Sequence, residues 1–250
     1  MLAQGLRDWL YLFRRWRVVE APLEKEHYGL ALLERLRDRL VPSYVLGDIG
    51  KTWSDGQDRS RLAERRFLLS QFALAAASLP GDTAEAGVYD GTSSQIICHA
   101  LGRAHHAFDS FEGLSEPNPI DGGYWHAGDL AVSEQRARAM LEPLGGRVYR
   151  GWIPDVFAQA QIERLCLAHV DVDLYQPTRD SLAFFYPRLV PGGVLICDDY
   201  GLATCPGARR AVDEFMADKP EPVIHLPTGQ GLVLKNHPTL TGSADSRRFA

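Results

Sequence analysis

Residues 165–178 read LCLAHVDVDLYQPT and residues 191–201 read PGGVLICDDYG. In both, an apolar run stops on a pair of aspartates, Asp171 and Asp173 in the first and Asp198 and Asp199 in the second. A nearly all-apolar run such as Leu165 to Val172 suits a strand whose sheet is covered by helices on both faces. Upstream, AEAGVYDGTSS (residues 84–94) passes from a short strand, Ala84 to Tyr89, through a glycine turn into a helix from Ser94 to Leu101. Ala104 to Asp109 and Arg147 to Arg150 supply two more strands, with a helix near Val132 to Leu144 between them. Downstream, helices are expected at Thr178 to Leu189 and Ala208 to Met216, around the strand Val194 to Cys197. The strands Pro222 to Leu226 and Gly231 to Lys235 follow, joined by the turn PTGQ. Strand–helix alternation closing on a hairpin predicts an α/β domain, a doubly wound and mostly parallel sheet with one reversed strand. Ligands of such sheets bind at the carboxyl ends of the strands, where both acid pairs fall.

The 250 residues suit one such domain with extra helices. With 45% hydrophobic residues the chain can bury a sizeable core. A net charge of −5 argues against a nucleic-acid binder, since no surplus of Lys and Arg is present to neutralise phosphates. Cys98, Cys166, Cys197 and Cys205 show no paired metal-ligand spacing, and Cys98 and Cys166, set among apolar residues, read as buried thiols of a reducing compartment. The amphipathic N-terminus has neither the continuous apolar core nor the cleavage site of a signal peptide, so a cytoplasmic protein without a membrane span is expected. Helical patterns occupy Glu24 to Leu40 and Arg59 to Leu79, giving an N-terminal extension over 1–58, a main domain over 59–236 and a polar tail over 237–250.

The spacing Glu85-x-Gly87-x-x-x-Gly91 is wider than the glycine loop that receives a dinucleotide pyrophosphate. An acid two residues before the glycine suits an ammonium group, so Glu85 is assigned the amino group of a methionine moiety, directly or through water. Ser93 and Ser94 can cap the helix or offer hydroxyls to the carboxylate of that moiety. Asp109 stands eighteen positions after Gly91, where an acid commonly grips ribose hydroxyls. Ser110 and Phe111 follow it and can line ribose and adenine. Trp152 closes the third strand, as an adenine platform or as core. At the other end, four carboxylates on neighbouring strand ends repel unless protonated or neutralised by a cation. Oxygen donors without clustered Cys or His favour magnesium.

These segments, with FDSFEGLSEP (residues 108–117) and PGARRAVDEF (residues 206–215), resemble the divalent-metal O-methyltransferases. HVDVDLY with CDDYG, preceded by FDSFEG, resembles the macrocin type that methylates sugars in antibiotic pathways. The resemblance runs from about Arg61 to Lys235 and implies a Rossmann-like class I methyltransferase fold with a seven-stranded sheet. It implies S-adenosylmethionine and magnesium as cofactors, with Asp171, Asp198 and Asp199 as metal ligands and Asp173 as the base. It also implies cofactor contacts from Glu85, Gly87, Asp109 and Ser110, to which the reading of the residues adds Tyr89, Gly91, Ser93, Trp152 and Asp171 as expected cofactor contacts. A metal that chelates a sugar hydroxyl lowers its pKa, and a nearby carboxylate then takes the proton. The expected partners are a sugar-bearing acceptor and further copies of the chain, with no nucleic acid and no membrane.

The long loop from Gly113 to Gly128, with Tyr124 and Trp125 at its centre, is expected to act as a lid over the acceptor. His126 reads either as an acceptor contact or as an exposed loop histidine, and His169 as core. Gly50-Lys51-Thr52 imitates a phosphate-binding loop, but Val45 stands where its first glycine belongs. The rival readings are a catechol or phenol O-methyltransferase and a nucleotide-binding module without catalysis.

Overall fold

The computed structural model describes residues 62–236. The helix expected at Glu24 to Leu40, the extension over 1–58, Gly50-Lys51-Thr52 and the tail from His237 lie outside the described residues. Helix α1 (Leu62–Ala75) leads into β1 (Asp82–Ala86), α2 (Thr92–Leu101) and β2 (His105–Asp109). Then come α3 (Glu134–Leu141), β3 (Gly146–Arg150), β4 (Leu165–Val170), α4 (Tyr175–Phe185) and β5 (Leu189–Cys197). Helix α5 (Pro206–Met216) precedes β6 (Ile224–His225) and β7 (Gly231–Leu234).

The seven strands form one sheet in the order β3-β2-β1-β4-β5-β7-β6. The first five are parallel, and β7 runs antiparallel to both of its neighbours, as the hairpin pattern predicts. Alternate residues of each strand feed two separate cores. On one face Ala84, Phe108, Ala168 and Leu195 pack with Leu182 and Phe185 of α4 and Val212 and Met216 of α5. On the other, Leu167 and Ile196 pack with Leu69 and Ala73 of α1 and Ile96 and Ile97 of α2. The chain order reverses between β1 and β4, which opens a crevice at their carboxyl ends.

Among the boundaries that differ from the sequence reading, three have identifiable reasons. Strand β4 stops at Val170 and not Val172, because Asp173 turns the chain with a φ of 58°. Helix α4 can then start at Tyr175, three residues early, with Pro177 tolerated in its first turn. Strand β5 starts at Leu189, ahead of Pro191-Gly192-Gly193. Those residues read as a turn but form an irregularity within the strand, since Leu189 pairs with Leu165 while Val194 already pairs with Leu167.

Candidate active site

A cavity of about 870 Å³ occupies the crevice. That is near the upper end of the roughly 300–1,000 Å³ typical of small-molecule sites, and leaves room for two ligands side by side. One half is walled by the ends of β1, β2 and β3 through Gly87, Tyr89, Asp109, Ser110, Gly151 and Trp152. The other half is walled by the ends of β4 and β5 through Asp171, Asp173, Asp198 and Asp199, with Arg65 of α1 beside them.

The turn after β1 is forced by packing. A Cβ on Gly87 would lie 1.7 Å from the carbonyl oxygen of Asp171, so only glycine lets β1 and β4 end side by side. Asp109 spans the crevice to that turn. Its Oδ2 accepts the N–H groups of Val88 and Tyr89 at 2.7 and 2.9 Å, and its Oδ1 that of Phe111 at 2.6 Å. Trp152 is 43% exposed at the cavity mouth, which decides against core. Ser110 also lines the cavity while its hydroxyl donates to the carbonyl of Gly113 at 2.9 Å.

Glu85, Gly91 and Ser93 do not line the cavity. Glu85 is wholly buried and is the register partner of His169 on β4. Its carboxylate accepts Ser94 Oγ, and its Oε1 lies 2.6 Å from His169 Nδ1. The amino-group contact expected of Glu85 is therefore not a direct one. His169 continues the chain of contacts, its Nε2 lying 3.3 Å from Asp198 Oδ1. His169 is buried as expected, yet it links the β1 acid to the β5 acid and is not mere filling. Ser94 in turn meets His105 Nε2 at 2.8 Å, and His105 Nδ1 meets Thr83 Oγ1 at 2.9 Å. Burial lowers the His105 pKa to about 3, with the charges of His106 and His169 adding to the effect.

The four aspartates divide into two groups. Asp171 and Asp198 gather with His169, and Asp173 and Asp199 with Cys205, the donor atoms of each group lying within 4.8 Å of one another. The predicted trio of Asp171, Asp198 and Asp199 is thus split across the two. The positive φ of Asp173 carries it away from Asp171, and its N–H donates to Asp199 Oδ2 at 2.9 Å. Asp198 is drawn the other way: it pairs with Arg65, which also donates to its main-chain carbonyl at 3.0 Å, and accepts Gln230 Nε2 at 2.6 Å. Burial, opposed by the positive charges of His169 and Arg65, still raises the Asp171 carboxyl above its usual range. Burial, then the charge of Asp171, raises Asp173 to about 7. Asp199 is raised well above the usual range by burial, then by Asp173 and Asp171. Burial and mutual repulsion displace three carboxyls in this direction, and hard oxygen donors fit a magnesium ion.

The loop from Gly113 lines the cavity through Leu114, Ser115, Tyr124, Trp125 and Leu130. Its ends are held together by Leu114 N–H to the Asp129 carbonyl at 2.8 Å and Gly128 N–H to the Leu114 carbonyl at 2.9 Å. Its middle is pinned by buried Asp121, whose Oδ1 accepts Tyr175 N–H at the start of α4 at 2.6 Å. Trp125 Nε1 donates to Cys205 Sγ at 3.4 Å, and Cys205 Sγ to Asp173 Oδ1 at 3.4 Å, so the loop touches the acid cluster through one thiol. His126 is exposed, sits 3.5 Å from Asp129 and does not line the cavity. Tyr89, Leu130 and Asp173, three of the four described non-glycine residues at positive φ, all line it. Local backbone strain of this kind concentrates at functional sites. No helix among the described residues is long and apolar enough to cross a membrane.

A sequence profile described as macrocin O-methyltransferase (TylF) matches residues 57–227. The chain is 38% identical over 156 residues to 8-demethyl-8-(2,3-dimethoxy-alpha-L-rhamnosyl)-tetracenomycin-C 4'-O-methyltransferase of Streptomyces olivaceus, covering 55% of this chain and 58% of that one. It is 34% identical over 163 residues to demethyldecarbamoylnovobiocin O-methyltransferase of Streptomyces niveus, covering 56% and 60%. The chain thus spans about three fifths of the length of these curated relatives. Among solved structures, the O-methyltransferase NovP superposes with a TM-score of 0.57 at 28% identity, over 68% of this chain and 80% of that one. The expected class I methyltransferase fold is the observed one.

Proposed function

The chain belongs to the macrocin O-methyltransferase (TylF) family, and on that premise we propose that it moves the methyl group of S-adenosylmethionine to a hydroxyl of a sugar-bearing small molecule, with magnesium as cofactor. The observation that carries this reading is the two-part cavity at the β1/β4 switch point. Its β1–β3 half carries a glycine turn, a strand-end acid and an exposed tryptophan, and its β4–β5 half carries four carboxylates. The relative from Streptomyces olivaceus is named for a rhamnosyl acceptor, which supports a sugar as the acceptor here.

Gly87, Tyr89, Asp109, Ser110 and Trp152 would hold the methyl donor. Asp109 keeps about one lone-pair site for a ribose hydroxyl after its three backbone bonds, and Trp152 offers a face to adenine. Asp171 borders both halves and can meet the ammonium group that Glu85 does not reach. Asp171, Asp198 and Asp199 would hold magnesium, which when bound lowers the pKa of a chelated hydroxyl and orients it. Asp173 is then the base. It lines the acceptor half of the cavity, and burial keeps its carboxylate more basic than an exposed one, which suits it to take a hydroxyl proton. Arg65 and His169 hold Asp198 in place, each at a different carboxylate oxygen.

Two measurements test this. Calorimetry with S-adenosylhomocysteine should show binding to a single site, and its absence would remove the methyl-donor reading. An acceptor panel of rhamnosides and catechols should yield S-adenosylhomocysteine from the rhamnosides. Turnover confined to catechols would move the acceptor class to phenols.

A further inference from the structure

Asp173 sits in a turn with left-handed backbone, at a φ of 58°. Such a conformation is unfavourable for a residue other than glycine and persists where its surroundings over-determine it. The loop from Gly113 to Gly128 supplies that determination at two points. Two residues after Asp173, the Tyr175 N–H donates to Asp121 Oδ1 at 2.6 Å. The same oxygen lies against the start of α5, where a Cβ on Gly207 would come within 1.9 Å of it. Asp121 Oδ2 accepts the Asn118 N–H at 2.8 Å. This buried acid, which does not line the cavity, thus fastens the loop to the two helices that begin just after the acid pairs.

The second hold is on the Asp173 side chain itself. Cys205, the last residue before α5, is wholly buried. Its Sγ accepts Trp125 Nε1–H at 3.4 Å and donates to Asp173 Oδ1 at 3.4 Å. Burial, then the charges of Asp199 and Asp173, push the thiol pKa up, so the hydrogen stays on sulfur. With Oδ1 engaged in this way, Oδ2 is the oxygen left for an acceptor hydroxyl. Trp125 lines the cavity whereas Cys205 does not. A ring that an acceptor meets is therefore joined through one sulfur to the carboxylate that takes the acceptor's proton.

We propose that Trp125 and Cys205 are positioning residues, through which the acceptor loop aims the Asp173 carboxylate at the hydroxyl. This rests on the reading of Asp173 as the base and deepens it. Neither residue moves a proton: the thiol keeps its hydrogen throughout, and the hydroxyl proton goes to Asp173. Their contribution is geometric, and misplacement of a reacting group by about 1 Å costs on the order of 10²-fold in rate.

The test combines infrared spectra with rates of the full chain. The S–H stretching band that disappears in Cys205→Ala should shift in Asp173→Asn and again in Trp125→Phe, with no substrate present. In turnover of a rhamnoside with S-adenosylmethionine and magnesium, Cys205→Ala should lose roughly 10–100-fold in kcat. Its acceptor KM and its affinity for S-adenosylhomocysteine should not change. Cys205→Ser, whose hydroxyl can accept and donate in the same place, should recover most of the rate. Trp125→Phe keeps a ring and loses the N–H, so it should lower kcat alone but not further in the Cys205→Ala background. Nor should Cys205→Ala slow Asp173→Asn further, because residues that act through one group are not additive. A band unmoved by Asp173→Asn, wild-type kcat in Cys205→Ala, a serine variant as slow as the alanine one, or additive losses would each overturn the proposal. A normal rate in Asp173→Asn strikes the base reading and takes this inference with it, whereas a slow Asp173→Asn beside a fast Cys205→Ala overturns the positioning alone. If no rhamnoside is turned over, the infrared band decides.

Discussion

Around Asp198, groups converge from three separate parts of the chain: Arg65 from α1, His169 from β4 and Gln230 from the hairpin before β7. Around Tyr124, by contrast, the one ring contact among the described residues is Trp125, its own neighbour in sequence, and more than half of the side chain is open to solvent. The inner wall is fixed from several directions by buried polar contacts, each of which would cost stability if left unmade. The outer loop is fixed at Asp121, Trp125 and its two ends, while the surface it turns outward is free to vary. Such a division suits an enzyme whose chemistry stays constant while its acceptor changes.

Substitutions should therefore separate cleanly. The largest effect expected is on rate: Asp173→Asn should lose about 10²–10⁴-fold in turnover, the usual range for a general base. It should retain S-adenosylhomocysteine binding and its response to magnesium, both measurable by calorimetry. A normal rate in this variant would force the search for another base. The next effect is on stability. His169→Ala leaves the buried Glu85 carboxylate with only Ser94 as partner among the described residues and should cost roughly 2 kcal/mol, a fall of about 4–8 °C in Tm. Tyr124→Ala in the outer loop should leave Tm unchanged. Equal melting curves for these two variants would erase the distinction between wall and loop.

How far the sequence discloses this site depends on how far apart the contacting residues lie. The acids at 171, 173, 198 and 199 and the glycine turn at 87 are legible because each is local to one strand end. The doubly wound sheet follows from the alternation of apolar runs and helical periods. Arg65, Gln230 and Cys205 are not legible, since each acts on an acid 133, 32 and 32 positions away respectively. Glu85 shows the limit most clearly. An acid before a turn glycine fits an ammonium ligand and a buried strand contact equally well. Only the pairing of Glu85 with His169 across β1 and β4 distinguishes the two. The start of β5 was hidden for a related reason, because Pro191-Gly192-Gly193 has turn composition in a strand irregularity.

Smaller effects sharpen the same comparison. Asp109→Ala should weaken cofactor binding by roughly 1–3 kcal/mol, the scale of lost charge-assisted hydrogen bonds, with part of the loss coming through the untied turn at Val88 and Tyr89. An unchanged affinity for S-adenosylhomocysteine would take Asp109 out of the cofactor site. The acid cluster should also leave a mark on stability against pH in chelator. Asp173 binds its proton at about 7 when folded and near the ordinary 3.8 when unfolded. The folded state therefore gains relative stability as pH falls from about 8 through 7, and Asp171 and Asp199 are displaced in the same direction. Below about 6.5 the trend is opposed, because His105 is held at about 3 when folded and takes its proton only on unfolding. The rise in Tm on acidification should thus flatten below about 6.5, and a Tm that climbs steadily to pH 8 in chelator would contradict the pressure among the acids.

The most direct test of the account is S-adenosylhomocysteine formation from S-adenosylmethionine and a rhamnoside acceptor, followed in excess chelator and then with magnesium restored. Four strand-end carboxylates that call for a cation predict that turnover vanishes in chelator and returns with magnesium. Undiminished turnover in excess chelator would contradict the metal-dependent mechanism.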